Sequence, residues 1–164
     1  MRAEIYKAIK TALKSNKNDG NEVQYVGLWN NEIENIQGNI AFPLPAVFVE
    51  FETIEWEQGG LNMRTGDVAI RLHIITVAQM PWVNNETEEN RDIEYLELIN
   101  KINRKIQGLE GDNFSKMMLT TSATNHNHKE LVESIERFEC RGRDLSSMLK
   151  TAPVEIKQIN ILNQ

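Results

Sequence analysis

The 164-residue chain has one cysteine, four prolines and few aromatics, with Phe, Trp and Tyr at 7%. One cysteine makes no internal disulfide, and the other members of a zinc-ligand set are missing; a disulfide scaffold is excluded. Long hydrophobic runs are also missing. The longest, Val68 to Ala78, is interrupted by Arg71 and His73, and none approaches the ~20 residues that span a bilayer. The N-terminal MRAEIYKAIKTALK lacks the unbroken apolar centre and small-residue cleavage site of a secretory signal. The chain therefore reads as a cytoplasmic product with no membrane partner. There is no basic tail or Lys/Arg stripe to grip phosphates: residues 1–82 carry 7 basic against 10 acidic groups and residues 83–164 carry 11 against 14. With 40% hydrophobic and 26% charged residues, a packed core and a solvated surface are both supplied. The length favours a single domain, residues 1–164.

What is present alternates between two periods. Ile5, Tyr6, Ile9, Ala12 and Leu13 form the stripe of an amphipathic helix, ended by the Ser15–Gly20 cluster of turn-formers. Val23 to Leu28 reads as a short strand, and Trp29 to Asn39 as a polar excursion. Pro43 and Pro45 set an extended entry to a strand. There Val47, Val49 and Phe51 alternate with Phe48, Glu50 and Glu52, which predicts one mostly buried face. Gly59-Gly60 supplies a turn and Gly66-Asp67 a break; Val68, Ile70, Leu72 and Ile74 then alternate with Arg71 and His73. The two runs predict a long antiparallel hairpin.

After a polar loop at 84–90, Ile93, Leu96, Ile99, Ile102, Ile106 and Leu109 predict a helix of about five turns ending near Gly108. Met117–Thr121 reads as a strand, Ser122–Lys129 as a polar loop, and Leu131–Arg141 and Val154–Leu162 as strands; Asp144–Lys150 reads as a helical turn. The order does not repeat as βαβα. The expected fold class is α+β: an antiparallel sheet with a long hairpin, packed by an N-terminal helix and one long central helix.

Chemistry is thinly represented. His126-Asn127-His128, with His73 as a third ligand, is the metal bait, but no Asp, Glu or Cys stands at ligand spacing and a solvated turn is the better reading. Cys140 sits in an alternating strand and reads as a small buried hydrophobe rather than a nucleophile. Glu86, Glu88, Glu89, Asp92, Glu94 and Glu97 form a solvated helix start near the positive end of the dipole. Gly59-Gly60 lacks the Lys-Ser/Thr of a phosphate loop, and no Ser lies in a Gly-x-Ser-x-Gly setting. We expect no catalytic residue, no metal and no cofactor. Two features suit protein contacts instead. Trp29, Trp56 and Trp82 lie at the ends of apolar segments, where interfaces recruit aromatics. The hairpin carrying Gln58, Gly59, Gly60 and Leu61 at its tip would project and pair with a neighbour.

Four segments in order carry a resemblance: the helix Ala3–Leu13, FPLPAVFVEF feeding a hairpin to DVAIRLHIITVA, the long helix Glu88–Gln107, and HKELVESIERFECRGRD. With these the chain resembles the tail-terminator and tail-completion proteins of tailed bacteriophages, and is similar to the minor tail protein U family. The resemblance implies a structural virion protein located at the tail or neck, not an enzyme, assembled in the host cytoplasm. It implies a homohexameric ring that caps the head-proximal end of the tail tube, stops its growth and joins it to the head. Implied partners are other copies of the chain, the tail tube protein and neck or head–tail connector proteins, with DNA passing through unbound. An acidic lumen would suit that passage. The expected contact residues are Trp29, Trp56, Gln58, Gly59, Gly60, Leu61, Trp82, Asn84, Asn85, His126 and His128. Rival readings are a neck connector, the cap of a contractile injection system, or a small metal- or ligand-binding bacterial protein using His126 and His128.

Overall fold

The computed structural model describes residues 1–14, 23–30, 42–77, 88–125 and 131–148, with only the backbone of 88–92. Two helices, α1 (Arg2–Lys14) and α2 (Glu88–Ile106), pack on a mixed sheet of six strands, an α+β fold. The strands are β1 (Tyr25–Leu28), β2 (Ala46–Phe51), β3 (Glu57–Gln58), β4 (Arg64–Val77), β5 (Met118–Asn125) and β6 (Leu131–Asp144). Five run in the order β1-β2-β4-β6-β5, and β3 pairs with β4 beyond the end of β2.

The sheet is not wholly antiparallel as the sequence led us to expect. Tyr25 to Leu28 runs parallel to Ala46 to Val49. Parallel neighbours cannot be joined by a two-residue turn, so β1 and β2 are not a hairpin. The hairpin of β2 and β4 is present, from Ala46↔Ile75 to Phe51↔Ile70. Its tip does not stand alone, however, because β6 accompanies β4 through all 14 residues, from Val77↔Leu131 to Arg64↔Asp144. Gly66-Asp67 is no break either. Gly66 lies inside β4, and a Cβ built there would fall 2.5 Å from the carbonyl oxygen of Glu55. Glycine is present because another backbone crosses it closely.

Val47, Val49, Val68, Ile70, Leu72, Ile74, Phe138 and Cys140 point from the sheet into the main core, where they meet Ile5, Ile9 and Leu13 of α1 and Ile99, Ile102 and Ile106 of α2. The α2 stripe is narrower than its sequence implies, since Ile93 and Leu96 are exposed. Steps of three residues fall about 60° short of a full turn, so these two side chains rotate away from the face that carries Ile99 and Ile102. Gly108, at φ 78°, closes the helix end, and its N–H donates to the Met117 carbonyl.

The other sheet face carries a second, smaller core. Ala46, Phe48, Ile75 and Leu131 are buried there under Trp29, Phe42 and Leu44. Ala46 to Val49 is therefore buried on both faces, not on the one that alternation predicted. Ser122 to Asn125 is strand rather than loop, and β6 runs on to Asp144. A single turn follows, with Met148 N–H donating to Leu145. The strand expected at Val154–Leu162 lies outside the described residues. Among the described residues, no helix is long and apolar enough to cross a membrane.

Candidate functional site

Beyond the small second core, that face of the sheet is an ion-pair ladder. The His73 imidazole is buried between two carboxylates: Nδ1 lies 2.6 Å from Glu133 Oε1, and Nε2 lies 3.0 Å from Glu50 Oε2. Ionised carboxylates only accept, so two such contacts require an imidazolium or a proton on one carboxyl. Asn125 Nδ2 donates to the other oxygen of Glu133 at 2.8 Å. One step along, Arg71 and Arg137 are paired neighbours on β4 and β6. Their like charges are reconciled by Glu52, whose carboxylate takes Arg71 Nε at 2.8 Å and both Nε and Nη2 of Arg137 at 2.9 and 3.1 Å. The Arg137 contact, with Arg71 adding to it, holds the Glu52 carboxyl below the usual range and raises Arg137. Arg137 also pairs with Glu139, and Arg141 with Glu57 and Asp67.

The expected contact residues do not form one patch. Trp56, Gln58, Gly59, Gly60 and Leu61 do share the hairpin tip. There Glu57 and Gln58 pair with Thr65 and Arg64, and Gly59 N–H donates to Met63. Arg64 ties the tip down. Its guanidinium centre lies 5.5 Å from the Trp56 ring and its Nη2 lies 2.6 Å from Asp144 Oδ2. The Ser146 N–H, then Arg64, hold the Asp144 carboxyl below its ordinary value. Trp56 is thus half-buried against the main core, while Leu61 is 52% exposed with left-handed backbone at φ 57°.

Trp29 lies on the opposite face of the sheet from Trp56. It is stacked on His73, with ring centroids 3.8 Å apart, and packs against the second core. Trp82, Asn84, Asn85, His126 and His128 lie outside the described residues. His73 is engaged by carboxylates, and no group of three or more metal-binding side chains is found among the described residues. Cys140 is buried as read from the sequence, and burial pushes its thiol up to about 11.

Sequence reasoning passed over the outer edge of β5. This strand, MLTTSATN, is exposed along almost its whole length. Beneath it Glu136 is 1% exposed and accepts from Ser122 Oγ at 2.5 Å, Asn103 Nδ2 at 2.9 Å and Ser134 Oγ at 3.2 Å. This polar seam between α2, β5 and β6 explains why Ser and Thr replace apolar residues in β5, and why the segment looks like a loop. The signal was available: Thr121, Ala123 and Asn125 alternate with Ser122 and Thr124 opposite the clear strand Leu131–Arg141.

No protein-family model matches this chain, and no curated protein matches it. Among solved structures, it is similar to a chain of the virion of a native gene transfer agent (GTA) particle. The TM-score is 0.52, and the likeness covers 85% of this chain and 94% of that chain at 10% identity. At that identity the likeness is one of fold.

Proposed function

We propose that this is a non-enzymatic structural protein of a phage-like virion. More finely, it is a tail terminator: a ring, of six copies in our reading, that caps the head-proximal end of the tail tube, ends its growth and provides the docking surface for the head. One observation carries the reading. The fold covers nearly the whole of a chain from a gene transfer agent virion, and this chain's order of helix, hairpin, helix and strand is the one on which its resemblance to the tail-terminator group rests. The chain's chemistry is compatible. Its buried histidine and thiol are spent on internal contacts, and its uncharged outer strand is material for self-assembly. A ring repeats one heterologous interface until it closes. The tube protein and the neck proteins are the remaining partners, and DNA passes through without specific contacts.

The experiment is electron microscopy of particles made after the gene is disabled. Filled heads without tails, beside free tubes of uncontrolled length, are expected. Tubes of normal length that fail to attach would move the protein to the neck. Intact infectious particles would end the virion reading.

A further inference from the structure

Natural sheets guard their edges with charge, proline or cover, because a bare row of N–H and C=O groups invites another strand. Here the charges are distributed the other way. The interior strand β6 carries seven charged residues, Glu133 to Asp144, and β4 carries Arg64, Asp67 and Arg71. The two outermost strands, Tyr25–Leu28 and Met118–Asn125, carry none. Apolar side chains are exposed at both edges: Tyr25 and Leu28 on β1, Met118 and Leu119 on β5. No strand among the described residues pairs with either outer edge.

We infer that the β5 edge of one copy pairs with the β1 edge of the next, so that one sheet continues from subunit to subunit around the ring; this rests on the ring reading above. Strand direction fits. β1 runs with β2, whereas β5 runs with β4, which is antiparallel to β2. Rotation about an axis along the strands keeps every direction, and so sets β5 antiparallel to the neighbour's β1, the better-bonded arrangement. Length fits too. Gln107 Oε1 already accepts the Leu119 N–H at 2.9 Å, which caps the Met118 end of β5. No strand among the described residues pairs with the outer side of Thr121 to Thr124, a length that matches the four-residue β1. Pairing two β5 edges with each other would leave β1 without a strand among the described residues on its outer side; the heterologous pairing covers both edges.

The test uses the full chain with Cys140→Ala, carrying Leu28→Cys, Thr124→Cys or both. Leu28 pairs with Val49 and Thr124 with Ser134, so both lie on the helix-bearing face. Ser122→Cys in place of Thr124→Cys covers a register two residues away. Each variant is oxidised as free protein at high concentration and in particles made by producing cells. A covalent ladder ending at a closed ring, given by the pair and by neither single variant, is expected in at least one preparation. Dimers from Thr124→Cys alone would overturn the inference, as would the absence of a ladder in both preparations.

Ala123→Lys supplies an independent reading, since it charges the exposed edge. At least a tenfold loss of assembled oligomer with an unchanged melting temperature is expected, and assembly at the native level would overturn the pairing. Particles that hold the chain but give no ladder sink the edge pairing alone. Particles that lack the chain sink the virion reading, and the free protein then decides the pairing.

Discussion

The Trp29 indole lies flat on the His73 imidazole, its plane within 1° of parallel. The stack roofs the His73–Glu133 contact, the most buried such pair among the described residues, and excludes water from one side of it. His73→Phe keeps the ring and the stack but removes both nitrogens. Glu133, at 4% exposure, then loses a close donor while Asn125 remains. We expect a loss of about 2–3 kcal/mol, read as a lower urea midpoint at unchanged slope. An unchanged midpoint would show that the contact contributes nothing to stability.

The Glu52 clamp fixes the sign of an acid effect. Its folded-state carboxyl titrates below its unfolded value, so its contribution is complete above about pH 4.3 and fades as pH falls through the folded value. Glu4, held by the Asn113 side-chain amide, and Asp144 act in the same direction. Glu52→Gln should lower the melting temperature at pH 7, where it leaves Arg71 and Arg137 adjacent, and reduce the further loss between pH 4.5 and 3. Parallel pH curves for the two proteins would refute the clamp.

Gly66→Ala tests the crossing of backbones at the hairpin base. The added methyl must displace the Glu55 carbonyl, and the expected cost is about 1–3 kcal/mol by thermal or urea unfolding. Gly60 is the control, because a Cβ there meets nothing within 4 Å. Gly60→Ala should be several-fold milder.

Leu61 and Asn62 both hold left-handed backbone, at φ 57° and 61°. For leucine that costs about 1 kcal/mol, an expense usually found where function requires it. Leu61→Gly should leave the melting temperature unchanged or higher while lowering the yield of joined particles. Full particle yield would remove the tip from the list of contacts.

Much of the architecture was legible, and the failures share a cause. Ile5, Ile9 and Leu13 announced α1, and the alternation of Val68 to Ile74 announced β4, because each contacts one core on one face. Ala46 to Val49 lost its alternation under Trp29 and Phe42, which cover a face that local pattern assigned to solvent. Ser122 to Asn125 was hidden because its neighbours are Glu136 and Asn103, not apolar residues. The contact residues were legible as types but not as a patch. Trp29 and Trp56 sit at similar positions along the sequence pattern yet end on opposite faces of the sheet, and only strand pairing decides that.

The strand order also sets the order in which the molecule can be built. β5 precedes β6 in the chain but reaches the sheet only through it, and β6 must first close against β4, whose Arg64 lies 80 residues before its partner Asp144. Such distant pairing is slow to find. During synthesis β5 emerges with no place to dock, waiting for a strand that is translated later to slide between it and the rest. A nascent chain that stops before β6 has no finished β5 edge to offer, so incomplete copies are kept out of any assembly that depends on it.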